Sequence, residues 1–299
     1  MNNISLQEND CFYMNSIGMM KSCHFYSNEK TPDFLHKMLL QQFDRMSIYI
    51  CGEMLNYFVY NILQHINKNF ILVTGDSDLT FCEEVLTTQH MHILYNSNFL
   101  IKILAQNSTI YTDNRIIQMP IGLDYHTINN NPNHHWTIQG EHSSPIEQEK
   151  KLLSIKSNAK PFYYREPKIY CNFTKTDFQD RWKHRKESLQ IIPKDLLVEN
   201  NIFTPRTENW KKMTQYTFVL SPFGRGMDCH RTWEALSLGC IPIIKAPHFK
   251  KMYDGLPILV ISDWKEITRE LLENTIEDFK TRIFDYKKLE LSYWTKQIK

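Results

Sequence analysis

One stretch of the sequence combines residue types suited to anion binding and acid–base chemistry. It runs from Ser221 to Ile244 and reads SPFGRGMDCHRTWEALSLGCIPII. Gly224 and Gly226 allow the backbone to approach a ligand closely and are predicted to adopt positive φ. The helix that follows would direct unpaired N–H groups and the positive end of its dipole at that ligand. Because the chain has only nine glycines, this cluster indicates an anion site.

The polar residues of the predicted helix have spacings that suit a nucleoside diphosphate. Arg231 lies in the first turn, near an anion held at the helix start. His230 and Glu234 are four residues apart and share one face. Glu234 lies roughly 9 Å beyond the helix start at 1.5 Å per residue, where a carboxylate can hold a ribose. A surface ion pair between Arg231 and Glu234, with a packed His230, is the alternative interpretation.

The elements around these residues are predicted from local signals. Tyr216–Leu220 reads as a strand, and Asp228 as the N-cap of a helix that starts at Cys229 and ends near Leu238. Gly239 suits the C′ position, after which Cys240–Ile244 resumes as a strand. The unit is therefore a strand, a glycine loop, a helix and a strand.

The rest of the chain alternates short apolar runs with helical patterns. The other predicted strands are Ile48–Cys51, Phe70–Thr74, His92–Tyr95, Ile116–Met119, Lys168–Phe173 and Ile258–Ile261. The other predicted helices span Asn98–Gln106, Thr176 to about Gln190, and a segment after Glu266. Thr176 and Gln179 form a capping-box pattern for the second, and Asp263 and Glu266 could cap the third. Residues 129–161 read as a long loop and linker. Such alternation predicts an α/β fold with parallel sheets, in two domains that face each other across a cleft.

Composition limits the function classes. The chain has 299 residues and a formal net charge of +2, which gives no reason to expect a nucleic-acid partner. Its seven cysteines include no CxxC pair, so we expect reduced thiols in a cytoplasmic protein. No apolar run approaches the roughly 18 residues of a membrane span, and the N-terminus lacks a signal-peptide pattern, so we expect no transmembrane segment.

Three segments resemble exostosin-like glycosyltransferases. Ser221–Ile244 resembles their C-terminal signature, in which a glycine loop precedes a helix ending in EAL and a G-C-I-P strand. Ala105–Thr127, AQNSTIYTDNRIIQMPIGLDYHT, is similar to a QN…PIGLD segment of the same group. Lys168–Thr174, KIYCNFT, is similar to the strand that opens its second domain. Together they cover under a quarter of the chain, in the order that the family has.

The resemblance implies a GT-B architecture of two Rossmann-like domains. We assign residues 1–160 to an acceptor-side domain, 161–275 to a nucleotide-sugar-binding domain, and 276–299 to a C-terminal helix that packs back on the first domain. The family implies a UDP-sugar co-substrate, no further cofactor, no obligatory metal, and inversion at the anomeric carbon. The acceptor would be a hydroxyl of an oligosaccharide or glycoprotein glycan, and the short form leads us to expect xylose as the sugar.

The donor-binding residues implied by the resemblance lie mainly in the glycine loop and its helix. They are Ser221, Gly224, Arg225, Gly226, His230, Arg231 and Glu234. Arg181 and Arg185, from the basic run RWKHR after the KIYCNF strand, could reach the donor phosphates across the cleft; a solvated helix face is the other interpretation of that run.

Three aspartates are candidates for the general base of an inverting transferase. In order of preference they are Asp78, Asp124 and Asp76, each at a predicted strand end, and capping of loops is the alternative role for each. Asp76-Ser77-Asp78 also looks like the DxD motif of metal-dependent GT-A glycosyltransferases, whose carboxylates suit Mg²⁺ or Mn²⁺. A non-catalytic nucleotide- or carbohydrate-binding protein on the same fold is the remaining alternative.

A group of histidines, His126, His134, His135 and His142, fits no common zinc spacing. We therefore interpret it as part of a polar loop.

Overall fold

The computed structural model describes residues 7–27, 31–81, 83–110, 112–131, 133–137, 143–174, 176–200, 204–246 and 249–299. Its named strands form two sheets in which every pairing is parallel. The α/β class predicted from the sequence is therefore confirmed.

The first sheet contains four strands in chain order. They are β1 (Met46–Cys51), β2 (Phe70–Gly75), β3 (Leu100–Ala105) and β4 (Ile116–Gln118). The second sheet has the order β6-β5-β7-β8-β9. Its strands are β5 (Glu166–Cys171), β6 (Leu197–Glu199), β7 (Tyr216–Leu220), β8 (Ile241–Ile244) and β9 (Leu259–Val260). Parallel strands are covered on both faces, which is why β2 reads as the continuous apolar run FILVTG and is buried throughout.

Helices connect and flank these strands. The α-helices are α1 (Ser16–Lys21), α2 (Asp33–Leu39), α3 (Leu55–Tyr57), α4 (Thr88–Tyr95), α5 (His126–Asn130), α6 (Pro145–Asn158), α7 (His184–Ile191), α8 (Arg206–Met213), α9 (His230–Ser237), α10 (Lys250–Tyr253), α11 (Arg269–Thr281) and α12 (Leu291–Thr295). A π-helical turn spans Phe58–Ile62. Short 3₁₀ turns span Glu8–Asp10, Gly52–Met54, Leu63–His65, Phe162–Tyr164, Lys194–Leu196, Trp264–Glu266, Tyr286–Leu289 and Lys296–Ile298.

Two predicted elements of the first sheet region are wrong. Asn98–Gln106 is not a helix, because β3 occupies this run and Ile103 to Ala105 pair with β2. His92–Tyr95 is not a strand but the last turn of α4, which Thr87 caps by accepting a hydrogen bond from the His90 N–H. Short apolar runs give too few periods to separate the two structures, and neighbouring strands decide between them.

Two further boundaries differ from the prediction. The segment 129–161, predicted as a loop, contains α6, which Ser144 and Glu147 begin with a capping box. The helix predicted from Thr176 starts only at His184, because the Asp180 carboxylate accepts hydrogen bonds from the N–H groups of Arg185 and Lys186.

The C-terminal segment packs against the first sheet. Trp294 and Ile298 belong to a buried cluster that also contains Tyr49, Val73 and Leu104 from β1, β2 and β3. The end of the chain therefore packs with the first sheet, although it follows the second sheet in sequence.

Candidate functional site

A cleft opens at the carboxyl ends of the central strands of the second sheet. From β5 the chain continues to β6 on one side, whereas β7 lies on the other side of β5. In open parallel sheets a ligand crevice forms at such a reversal of strand order. Asn172 follows β5 and Ser221 follows β7, and a cleft of about 510 Å³ lies there.

The cleft takes side chains from both halves of the chain. From residues 78–136 it is lined by Asp78, Ile121, Thr127, His134, His135 and Trp136. From residues 172–234 it is lined by Asn172, Phe173, Thr174, Gln179, Arg185, Asn200, Thr204, Arg206, Asn209, Gly224, Arg225, Gly226, Asp228, Cys229, His230, Arg231 and Glu234. The cleft thus brings together eight predicted residues, which are Asp78, Arg185, Gly224, Arg225, Gly226, His230, Arg231 and Glu234.

Four predicted site residues do not line this cleft, and each has another contact. Asp76 adopts a left-handed φ of 52° and donates its N–H to Gln106. Arg181 pairs with Glu84. The Ser221 hydroxyl is buried at 2.7 Å from that of Thr232. Asp124 is described below with its partners.

The guanidinium groups of Arg185, which is buried, and of Arg231, which is partly buried, stand side by side in the cleft. Arg185 donates to the backbone carbonyls of Thr174 at 2.9 Å and Phe223 at 3.3 Å. Arg231 donates from Nε to Asn172 at 3.2 Å, while its buried Nη1 has no hydrogen-bond partner among the described residues. Burial, and then the charge of Arg185, lower the pKa of Arg231 to about 10, so Arg231 remains a cation at neutral pH.

The two guanidinium groups form no ion pair with a carboxylate in the described part of the chain. Two adjacent buried cations repel each other, and burying a charge without a counter-ion is costly. An anion between them would remove both costs, and the fork of donors on arginine matches phosphate oxygens.

The start of α9 adds backbone donors to this cation pair. The helix begins at His230 with Cys229 as its N-cap, one residue later than predicted, and Asp228 accepts the Cys229 N–H at 3.0 Å. No hydrogen bond from the N–H of His230 or Arg231 is found within the described residues. The first turn therefore leaves two N–H groups available to an anion.

The glycines of the loop are required for space and not for backbone conformation. The prediction of positive φ at Gly224 and Gly226 is wrong, since neither has one. A Cβ atom at Gly224 would lie 2.4 Å from Nη2 of Arg185, and one at Gly226 would lie 3.0 Å from Nδ2 of Asn107. A side chain at Gly224 would therefore displace the guanidinium group.

Asn107 ties the loops of the two sheets together. Its amide nitrogen donates to the Ser77 carbonyl, and its amide oxygen accepts the Asp228 N–H, both at 2.9 Å. The residue is buried and adopts a left-handed φ of 50°, which asparagine tolerates better than most residues. The glycine loop is thus fixed against the loop that follows β2.

His230 presents a neutral imidazole to the cleft. Its Nδ1 lies 2.7 Å from the Gly122 carbonyl, and because a carbonyl only accepts, Nδ1 carries the hydrogen and Nε2 the lone pair. Nε2 has no hydrogen-bond partner among the described residues. Burial lowers the pKa of His230, against the opposing charge of Asp124. This geometry suits a general base.

Arg206 is a cleft residue that belongs to no recognisable sequence motif. Its guanidinium group lies 3.6 Å from both Asp124 and Glu234 and donates to Gln148 at 3.1 Å. Burial alone would raise the pKa of Asp124, but the charge of Arg206 and those of neighbouring histidines lower it. Asp124 also accepts hydrogen bonds from the N–H and hydroxyl of Thr127 at 2.9 and 2.7 Å, so its oxygens are occupied.

Asp78 and the histidines lie at other parts of the cleft. The carboxylate of Asp78 is half-exposed and lies 3.3 Å from Nε of Arg225. The rings of His134 and His135 lie with their centroids 4.1 Å apart, tilted by 35°. His126 faces Asp124 at 3.2 Å, and His142 lies outside the described residues.

Comparison with known proteins gives no family, and the similarities to solved structures include a distant one. No protein-family model matches the chain, so the exostosin-like resemblance stays a prediction. The chain is similar to a solved structure described as trehalose-6-phosphate from E. coli bound with UDP-2-fluoro glucose, at 11% identity and a TM-score of 0.39. The likeness covers 89% of this chain and 71% of the other, and at this TM-score it assigns no function. None of the described helices is long and apolar enough to cross a membrane.

Proposed function

We propose that this chain is a glycosyltransferase of GT-B architecture that transfers a sugar from a UDP-sugar to a hydroxyl of an oligosaccharide or glycoprotein glycan. The observation that carries the proposal is the cation pair of Arg185 and Arg231, which lies beside an open helix start at the reversal of strand order. Diphosphates bind at such helix starts in α/β folds. Glu234 faces the same cleft and is proposed to bind the ribose.

The domain assignment belongs to this proposal. Residues 1–160 contain the first sheet and 161–275 the second, as two Rossmann-like domains would require. Residues 276–299 include Trp294, which packs with the first sheet. A cytoplasmic setting, expected from the cysteine usage, is also part of the proposal.

In the proposed reaction, the acceptor hydroxyl attacks the anomeric carbon and the bond from that carbon to the diphosphate breaks. The hydroxyl proton passes to Nε2 of His230, which Gly122 orients through Nδ1. The negative charge that develops on the leaving diphosphate is stabilised by Arg185, Arg231 and the first N–H groups of α9. Such a displacement inverts the anomeric centre and uses protein cations in place of a metal ion.

Asp78 is the second candidate for the base, since it lines the cleft and is half-exposed. Asp124 suits the role less well, because its lowered pKa and occupied oxygens make it a weak proton acceptor. Asp76 suits a loop role through its contact with Gln106. Xylose stays the proposed sugar.

Calorimetric titration of UDP, in EDTA and in Mn²⁺, tests the proposal. We expect UDP to bind in EDTA, and Arg231→Met to weaken it by about 10- to 100-fold, as expected for the loss of a charge-assisted contact. Arg269→Met is the matched control, since Arg269 is exposed and pairs with Asp195 away from the cleft. Hydrolysis of UDP-sugars, with UDP-xylose among them, then tests turnover.

Three other results would contradict the proposal in different ways. Binding of UDP only with Mn²⁺ would favour the GT-A alternative, with Asp76 and Asp78 as ligands. Binding without hydrolysis or transfer would favour the non-catalytic binding protein. The absence of binding to any nucleotide would refute the donor site itself.

A further inference from the structure

Two asparagine side chains line the cleft on the β6 side of the cation pair. Asn200 directly follows β6, and Asn209 lies on α8. Cys171 and Glu199 are register partners, so the residues that follow them, Asn172 and Asn200, lie about one strand spacing apart, roughly 4.8 Å. Asn172 contacts Arg231. Asn200 therefore lies about one strand spacing away from the proposed diphosphate position.

The hydroxyl of Tyr170 joins the two amides. Asn200 donates from Nδ2 to this hydroxyl at 3.0 Å, and the hydroxyl donates to Oδ1 of Asn209 at 2.8 Å. Asn200 Nδ2 also donates to Thr204 at 3.0 Å. These bonds leave Nδ2 of Asn209 and Oδ1 of Asn200 without a hydrogen-bond partner among the described residues.

The free atoms have the same chemistry whichever way the amides are oriented. Exchanging oxygen and nitrogen in both side chains is equally consistent with the Tyr170 hydroxyl, which can donate to one and accept from the other. In either orientation the pair offers one N–H₂ donor and one carbonyl acceptor. Both asparagines line the cleft, and neither free atom is among the fully buried ones, so both are accessible to a ligand.

We infer that Asn200 and Asn209 form the nucleobase site of this cleft and read the imide edge of uracil; the inference rests on the proposed donor site. The carbonyl accepts the N3–H of the base, and the amide N–H₂ donates to one of its carbonyl oxygens. Tyr170 is a positioning residue, because it holds both amides without facing the base. The order along the cleft is then diphosphate at Arg185 and Arg231, followed by ribose and base toward β6.

Calorimetry with a ligand series separates base recognition from phosphate binding. The ligands are UDP, its N3-methyl derivative, and inorganic pyrophosphate. Wild-type protein is expected to bind N3-methyl-UDP about tenfold more weakly than UDP, since one hydrogen bond to the base is lost and an acceptor is left unpaired. This comparison needs no mutation, so it cannot be confused with a folding defect.

Variants then identify the residues responsible. Asn209→Leu, which is nearly isosteric, is expected to weaken UDP about tenfold and to leave pyrophosphate within about twofold. In the double variant that combines Asn209→Leu with Asn200→Leu, UDP and N3-methyl-UDP should bind with equal affinity. Asn158→Leu is the matched control, because Asn158 is exposed at the end of α6 and bonds only to Ser154.

The outcomes distinguish this inference from the proposed function. Equal affinities of the wild type for UDP and N3-methyl-UDP would overturn the inference and leave the diphosphate site intact. Parallel losses of UDP and pyrophosphate in Asn209→Leu would also overturn it, since the residue would then act through the fold. Failure of the wild type to bind either UDP or pyrophosphate would refute the proposed function itself, and the inference with it.

Discussion

Asp228 carries a buried carboxylate whose titration should be visible in the stability of the whole protein. It accepts hydrogen bonds from the Ile121 N–H at 2.8 Å, from the Cys229 N–H at 3.0 Å, and from the Trp233 indole at 2.9 and 3.0 Å. Tyr253 adds a longer contact at 3.4 Å. Burial nevertheless raises the pKa of Asp228 from 3.8 to about 6, because these bonds only partly offset the loss of solvation.

The magnitude follows from the difference between the folded and unfolded pKa values. Between pH 3.8 and about 6 the folded protein holds a proton on Asp228 that the unfolded chain has released. The free energy of unfolding therefore falls as the pH rises through this window, by about 3 kcal/mol for a shift of roughly two pKa units. Above the folded pKa the contribution no longer changes.

Replacing Asp228 with asparagine should remove this dependence. Urea unfolding of the wild type and of Asp228→Asn is measured from pH 3.5 to 7.5, and the difference in unfolding free energy is plotted against pH. We expect the wild type to lose about 3 kcal/mol relative to the variant across the window. All other titrating groups cancel in the difference, and Asp195→Asn, whose side chain is 66% exposed, controls for the loss of one charge.

A second variant tests the cause of the shift. Trp233→Phe removes the indole N–H, one of the donors that lower the pKa of Asp228. The pKa should then rise further, and the loss of stability should continue to higher pH than in the wild type. Parallel curves for wild type and Asp228→Asn between pH 4 and 6 would refute the reasoning, whatever their vertical offset.

Three further predictions concern the contacts that build the cleft. His230→Gln should lower kcat for sugar transfer at least 100-fold and change UDP affinity less than threefold, because it removes only the proposed base. In the wild type, kcat/KM should rise with pH to a pKa below 6.5 and then level off, since burial lowers the pKa of His230. An inflection at or above 6.5 would count against this role. Gly122→Ala should destabilise the protein by roughly 2 to 4 kcal/mol in urea unfolding, because φ is +68° and the new Cβ would lie 2.1 Å from the Met14 carbonyl oxygen. Gly255→Ala is the control, since Gly255 has a φ of +88° but a new Cβ there would have no contact closer than 3.6 Å. It should destabilise the protein by only about 1 kcal/mol. Asn107→Ala should cost about 2 to 4 kcal/mol by the same measurement, because two buried hydrogen bonds are lost; a loss under about 1 kcal/mol would mean that water replaces the amide.

The unit around α9 could be predicted because its signals are local. The strand Tyr216–Leu220, the glycine loop and the helix follow from apolar runs and turn residues within 24 positions. Gly239 adopts the predicted left-handed conformation, with a φ of +71°. The same locality explains why six of the eight predicted cleft residues meet, since they belong to this one loop and helix; Asp78 and Arg185 come from other parts of the chain.

Elements whose identity depends on neighbours could not be predicted in this way. The run that forms β3 has no feature that excludes a helix, and only its pairing between β2 and β4 fixes it as a strand. Likewise α7 begins at His184 and not near Thr176 as predicted. The Asp180 carboxylate accepts hydrogen bonds from the first turn of α7 and replaces the capping pattern predicted at Thr176.

The sequence by itself determined the α/β alternation and the position of the glycine loop before α9, because periodicity, glycine placement and helix starts act over a few residues. The tertiary structure alone decided which side chains complete the cleft. Arg206 reaches Asp124 from 82 residues away, and His230 is oriented by a carbonyl 108 residues earlier. Such contacts leave no local pattern in the sequence, since they depend on how the two sheets are packed. Tertiary contacts of this kind leave Nε2 of His230 and one amide atom each of Asn200 and Asn209 available to a ligand.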